Sequence, residues 1–310
     1  MAELHSGFDE QIGIIKETNM GEIPTNPNFQ LLPVGSATLK TNRETLESNR
    51  LGVNSRFGTR LGGYNVNGDL VGELVFGAFD ELLAAAIGGT WVADTPATGT
   101  DQAKGGRGRQ GFTVVRKRGD KGFQYFRGCE VNSIALTIGQ NAAVSCTYNL
   151  LGLEELGDNS ALVGQSLLPM TDAYPFTGFD VAITQGGQVV AIATAATLNV
   201  NRNLTTSFNL GSYVAGSKAP GKLLVDGSLT VDFVDMAYQQ AFLNETRSDL
   251  EMQLTDYQTG DVLYIKLPDV LYTQKQDDTT SDGPVPIVMT FFGEYDATEE
   301  TSIILERTPA

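Results

Sequence analysis

The chain repeats itself at one fixed offset. Residues 36–52 read SATLKTNRETLESNRLG and residues 195–211 read AATLNVNRNLTTSFNLG. Thr38/Thr197, Leu39/Leu198, Asn42/Asn201, Arg43/Arg202 and Gly52/Gly211 are identical at an offset of 159 residues. Without a gap, 66–84 then falls on 225–243, where Val66/Val225, Gly68/Gly227, Leu70/Leu229 and Ala78/Ala237 match. Two blocks in one register mark a duplicated unit, which has to fold twice. Farther on the offset shrinks. Phe126-Arg127 through Glu130-Val131 align with Ile265-Lys266 through Asp269-Val270 at 139, and Leu151-Gly152 aligns with Phe292-Gly293 at 141. The first copy therefore carries an insertion, 91–111, rich in Gly, Thr and basic residues.

Each copy reads as mostly β with one helix. Leu70, Gly72, Leu74 and Phe76 alternate with mostly polar or small neighbours, a pattern that Leu229, Val231 and Phe233 repeat, the period of a half-buried strand. The period then changes: Phe79, Leu82, Leu83, Ala86 and Ile87 have helical spacing, with Gly88-Gly89 as a stop. Tyr238, Ala241 and Phe242 repeat this helix and end it near Asn244. Strands are expected over 112–117, 124–127, 131–138 and 144–151, and again over 250–255, 262–266, 270–274 and 287–292. The expected organisation is an extended arm over 1–35 (Pro24, Pro27, Pro33) and a first copy over 36–155. A linker follows over 156–175, then a second copy over 176–296 and a C-terminal tail over 297–310. In the tail, 302–305 reads as a short strand that needs a partner sheet.

Composition removes whole classes of function. With 310 residues and 41% hydrophobic content the chain can bury a core. A net charge of −16 opposes general nucleic-acid binding, which gains affinity by neutralising phosphates. Two cysteines exclude a disulfide scaffold, and one histidine excludes most histidine chemistry. No run of 18 apolar residues is present and the first residues lack a signal-peptide pattern, so a soluble cytoplasmic protein is expected.

The catalytic motifs fail one by one. Gly106, Gly108 and Gly111 fit G-x-G-x-x-G, but a strand rather than a helix follows, so no pyrophosphate site forms. Lys104-Gly-Gly is not a Walker loop. His5 lies in the polar arm, away from any nucleophile. Glu154-Glu155, Asp277-Asp278 and Glu299-Glu300 are expected in solvated loops, and no clefted fold supports a glycosidase pair among them. Cys129 and Cys146 do not face each other across the expected hairpin, so two free buried thiols are expected. No catalytic, metal or cofactor residue is assigned. What stands out is a basic cluster: Lys104, Arg107, Arg109, Arg116, Lys117, Arg118 and Lys121. No aromatic is interleaved among 105–110 for base stacking, so the cluster is read as an inter-subunit or inter-ring contact on an acidic protein.

The block GDLVGELVFGAFDELLAAAIGGTW (68–91) resembles the tail tube proteins of long-tailed bacteriophages. So do PVGSATLKTNRETLESNRL (33–51), FTVVRKR (112–118), YFRGCEVNSIALTI (125–138) and Leu151-Gly152. The resemblance implies two tandem β-sandwich or barrel-like tube domains, each with a flanking helix. It implies a structural virion protein with no cofactor, whose subunits close into stacked rings. With a duplicated domain, three chains would make one six-fold-like ring. By the same resemblance its partners are other copies of itself and the tape-measure, tail-terminator and distal tail proteins, in a tail assembled in the host cytoplasm. DNA passes through such a tube without specific binding, and an acidic wall suits that passage. Glu73 and Asp232, equivalent at the 159 offset, are the candidate lumen acids. A capsid decoration protein or adhesin built from tandem β-sandwiches is the competing reading, and an enzyme has only the loop carboxylates behind it.

Overall fold

The computed structural model describes residues 6–158, 160–190, 192–234, 236–277 and 285–310. The chain is mainly β. Its first half contains β1 (Glu10–Lys16), β2 (Asn28–Leu31), β3 (Val34–Ala37), β4 (Lys40–Ser48), β5 (Phe57–Glu73), α1 (Asp80–Ile87), β6 (Asp101–Lys104), β7 (Phe112–Arg118), β8 (Phe123–Gly139), β9 (Ser145–Gly152) and β10 (Glu154–Asp158). After β11 (Ser166–Leu168), the second half contains β12 (Val181–Gln185), β13 (Gln188–Val189), β14 (Ala193–Asn201), β15 (Thr205–Phe208), β16 (Ala215–Ala219), β17 (Leu224–Asp232), α2 (Ala237–Leu243), β18 (Ser248–Thr255), β19 (Val262–Asp277), β20 (Pro286–Glu294) and β21 (Ile304–Thr308).

One large sheet runs through both halves, in the order β3/β4, β5, β9, β8, β14, β17, β20, β19. Its registers recur. Ala37 faces Leu70 and Ala196 faces Leu229; Lys40 faces Asn67 and Asn199 faces Asp226, each pair displaced by 159 on both strands. Ala135 faces Thr147 and Gln276 faces Val288, each displaced by 141. The matching glycines explain why this hairpin packs so closely. A Cβ on Gly68 would lie 2.5 Å from Leu39 N, and one on Gly227 would lie 2.2 Å from Thr197 O.

A smaller sheet backs the large one in each half. In the first, β1, β7, the N-terminal part of β8, and β10 lie side by side. In the second, β12, β18, the N-terminal part of β19, and β21 do so, and β6 from the first half adds to β21. The long strands β8 and β19 cross from one sheet to the other. This corrects the sequence expectation of two strands in each place. The gaps expected at 128–130 and 267–269, which hold Gly128 (φ +63°) and Pro268, lie within continuous strands near the crossing.

The core between the layers is one cluster joining both halves, with Leu70, Tyr148, Leu136, Leu198, Leu229 and Met289 buried. Helix α1 buries seven of its eight residues and ends where Gly88 turns left-handed (φ 68°). Each buried leucine such as Leu82 contributes about 1.5–3 kcal/mol.

Three segments expected outside the domains are structured. Residues 10–16 and 28–31, assigned to the arm, are β1 and β2. Within the expected linker, 166–168 pairs in parallel with β2. The tail strand is β21, bordered by β19 and β6. Glu154 and Glu155 lie on β10 rather than in a loop. His5 and Asp278 lie outside the described residues. No described helix is long and apolar enough to cross a membrane.

Candidate functional site

The large sheet has one face on the core and the other on solvent. Side chains alternate along a strand, so the neighbours of the core residues point outward: Asn67, Asp69 and Glu73 on β5, Asn149 on β9, Thr197 and Asn199 on β14, Asp226 and Asp232 on β17. Small polar side chains bridge the strands there. Asn149 Nδ2 donates to Asp69 Oδ1 at 2.7 Å, and the hydroxyls of Thr197 and Ser228 lie 2.8 Å apart. Asp69, Glu73, Asp226 and Asp232 give this face its charge. Against them, among the described residues, the register adds one strand-borne cation, Lys40. The two candidate lumen acids hold matching places: Glu73 ends β5 opposite Ser145, and Asp232 ends β17 opposite Pro286. Such a face offers hydrogen bonds to water and no cation array to a polyanion.

The second feature is the seam where the halves join. β8 pairs with β14 from Ser133↔Asn201 to Gly139↔Ala195. Just beyond the ladder, Asn132 O accepts from Arg202 N (2.8 Å), and Asn132 Oδ1 accepts from Leu204 N (2.9 Å). The Arg202 guanidinium is buried. It donates to Ala85 O in the last turn of α1 (3.1 Å) and to Gly108 O in the insertion (2.6 Å). The β15–β16 hairpin then lies over the first half, with Tyr64 N donating to Tyr213 O at 2.8 Å.

Lys218 on that hairpin reaches a fully buried carboxylate. Its ammonium donates to Gly128 O and to Leu151 O (2.7 Å) and lies 3.3 Å from Glu130 Oε1. Arg109 grips the same carboxylate with Nε at 3.0 Å and Nη2 at 2.7 Å. Burial alone would raise the Glu130 carboxyl, but Arg109 and Lys218 outweigh it and hold the group below its ordinary value. Burial pushes the Lys218 amine down. Its oxygen partners nevertheless suit the charged form, so the cluster is a salt-bridged one.

The basic cluster divides between interior and surface. Arg109 belongs to the Glu130 cluster. Arg116 is buried and donates to Ala37 O (3.0 Å) and Leu39 O (3.2 Å), with burial lowering its pKa. Lys104 pairs with Glu299 (2.8 Å), Arg118 with Glu10 (2.7 Å) and Lys121 with Asp120 (3.0 Å). Lys117 donates to Gln11 at 3.4 Å. Arg107 is exposed beside a cavity of about 630 Å³ that Arg202, Leu223 and Thr301 also line.

Sequence reasoning missed Lys218 and Glu130, and it missed Arg202's role although Arg43/Arg202 is an identical pair. It also missed that Gly-Phe-Asp at 7–9 recurs at 178–180, each opening the strand at the margin of a small sheet. Cys129 and Cys146 are free and buried, and burial pushes both thiols up to about 12. Among the described residues no group of His, Cys, Asp or Glu is placed to hold a metal. No curated protein matches the chain. Residues 7–294 match the phage tail tube protein family, and the chain belongs to that family of structural tail proteins.

Proposed function

We propose that this chain is a tail tube subunit with two tandem tube domains, 36–155 and 176–296, three copies of which close into a ring. The observation that carries the reading is the seam inside the chain. Half of the large sheet comes from each side of it, and β8 meets β14 by a continuous strand ladder. The outermost strands of the sheet are β3/β4 and the 271–277 stretch of β19, the counterparts of β14 and β8. Repeating the same join between chains removes both margins, which is how a sheet escapes edge-to-edge aggregation. Three chains supply 24 strand positions. At ordinary strand spacing and tilt that gives a barrel roughly 45–52 Å across its backbone, wide enough for a DNA duplex.

In this ring the polar face lines the lumen, with Glu73 and Asp232 among its acids. Phosphates then meet carboxylates and amides instead of lysines, so DNA slides without being held. Rings stack into the conduit for DNA ejection, with the tape-measure, tail-terminator and distal tail proteins as partners. The outward-facing part of the basic cluster, with Lys104, Arg107, Lys117, Arg118 and Lys121, sits at contacts between rings or chains. Cryo-microscopy of assembled tubes tests all of this. Three chains per ring with an acidic inner wall is the expected result. Six chains per ring, or an inner wall dominated by Lys and Arg, overturns it.

A further inference from the structure

The seam inside the chain specifies, residue by residue, a seam that the chain does not complete on its own. Three matches fix the correspondence. Asn132 is the extra residue of a bulge in β8 between Val131 and Ser133, and Thr273 is the extra residue of a bulge in β19 between Tyr272 and Gln274. Asn132 donates to Asn149 at 3.2 Å, and Thr273 donates to Thr290 O at 3.4 Å; both residues of the first pair are displaced by 141 in the second. On the other strand Arg202 corresponds to Arg43 at 159. Arg202 is buried in the last turn of α1, whereas Arg43 is exposed and rests against the rings of Tyr64 and Tyr213.

We propose that Arg43 is the inter-chain counterpart of Arg202. It enters the last turn of a neighbouring copy's α2, with Asn42 directly opposite that copy's Gln274. This rests on ring closure as proposed above and adds the register and the anchoring residue. Two further observations point to a second copy as the occupant. Helix α1 is covered where it touches β14, while around α2 the side chains of Phe233, Val234, Met236 and Leu243 are exposed, Leu243 by 66%. A copy docking β3/β4 there would cover that apolar patch as β14 covers α1. Arg116 marks where the ladder stops. It holds Ala37 O and Leu39 O, whose counterparts at Ala196 and Leu198 belong to the β8 ladder, so the shared rungs lie at Thr41 and Arg43.

Disulfide trapping tests the register, and an arginine variant tests the anchor. Directly opposed residues of an antiparallel pair lie about 4.5–5.5 Å apart at Cα, within disulfide reach, while a two-residue slip carries them beyond it. Assembled tubes of Asn42→Cys/Gln274→Cys, treated with diamide, are expected to run as covalent dimers and trimers. Lys40→Cys/Gln274→Cys, the pairing that a shift of 139 would give, is expected to stay monomeric. The two native thiols are buried and add little background. Arg43→Ala is expected to keep its melting temperature and raise the concentration needed for assembly about tenfold or more, the effect of losing charged hydrogen bonds at one seam. Arg43→Lys, which cannot fork to two carbonyls, is expected to rescue only in part. Trapping at Lys40→Cys instead, or unchanged assembly of Arg43→Ala, overturns the inference while ring closure stands. Failure of the unmodified chain to form rings under any assembly condition overturns both.

Discussion

Glu130 and Asp269 align in sequence at an offset of 139, each near the point where its long strand changes sheets, and the two halves treat these acids in opposite ways. Glu130 is fully buried, held by Arg109 from the insertion and Lys218 from the other half's hairpin. Asp269 stays partly exposed and meets Arg247 at 2.6 Å, which also pairs with Glu294 at 2.8 Å. By strand register the place of Glu130, opposite Leu151, is taken in the second half by Leu271, opposite Phe292. An acid near the crossing of the long strand becomes a buried charge cluster where other segments of the chain lie over it and a surface ion pair where they do not. The helices repeat the contrast: α1 is buried under the insertion and Arg202, while Leu243 at the end of α2 is exposed. Burial here is a property of what lies above a site more than of the site's own sequence.

Removing a partner from each site should separate them sharply. Lys218→Ala strands the Glu130 carboxylate with one cation and leaves two carbonyls without their donor. Breaking a buried pair in this way costs about 3–5 kcal/mol, readable as a lower urea midpoint. Arg247→Ala should leave the midpoint nearly unchanged. The pH dependence sharpens the comparison. Glu130 has a folded pKa below its ordinary value, so its contribution is present above the unfolded carboxyl range and is lost as pH falls through the folded value. Glu130→Gln should therefore flatten the acid limb of stability below about pH 4.3. Asp269→Asn, compared over the same pH range, serves as the reference.

The glycine pair tests where the halves agree. Gly68 and Gly227 each let the neighbouring strand of the recurring hairpin approach to backbone contact. An added Cβ has no room in either, so Gly68→Ala and Gly227→Ala should each lose about 1–3 kcal/mol. If one is neutral in thermal unfolding, the recurrence of the hairpin does not extend to its packing.

Much of this was legible in the sequence, for stated reasons. Periodicity located α1 and most strands, because half-buried strands and amphipathic helices write their burial into residue spacing. The 159 offset carries the hairpin register, which is why the sequence alone pairs Glu73 with Asp232. What stayed hidden depends on tertiary neighbours. Nothing local marks Lys218 as the partner of a glutamate 88 positions away. The insertion looked like a free glycine-rich loop, yet β6 closes the margin of the second half's sheet by pairing with β21. Arg116 looked like surface charge and is buried, and Arg109, though itself exposed, is committed to the buried Glu130 carboxylate. Each long strand is expected as two because the stretch where it changes sheets, with Gly128 or Pro268 in it, breaks the strand period as a loop does.

The smallest effect concerns the part of the basic cluster still facing outward. Reversing Arg109 would break the Glu130 cluster, so a loss of assembly in that variant would report misfolding. Arg107 is the clean probe, since it is exposed and no ion pair involves it among the described residues. Arg107→Glu should leave the melting transition within about 0.5 kcal/mol of the unmodified protein. If the cluster joins rings, the variant appears three times at each interface of the stack. Each exposed pair is worth only about 0–1 kcal/mol, so single rings should look normal and only the tube should respond. The readout is the salt concentration at which tubes fall apart, because screening acts over about 10 Å at 0.1 M. Tubes that dissociate at lower salt than the unmodified ones place Arg107 between rings. Identical salt tolerance, with identical tube length, removes the cluster from the stacking contact and leaves it the intramolecular role that Arg109 and Arg116 already have.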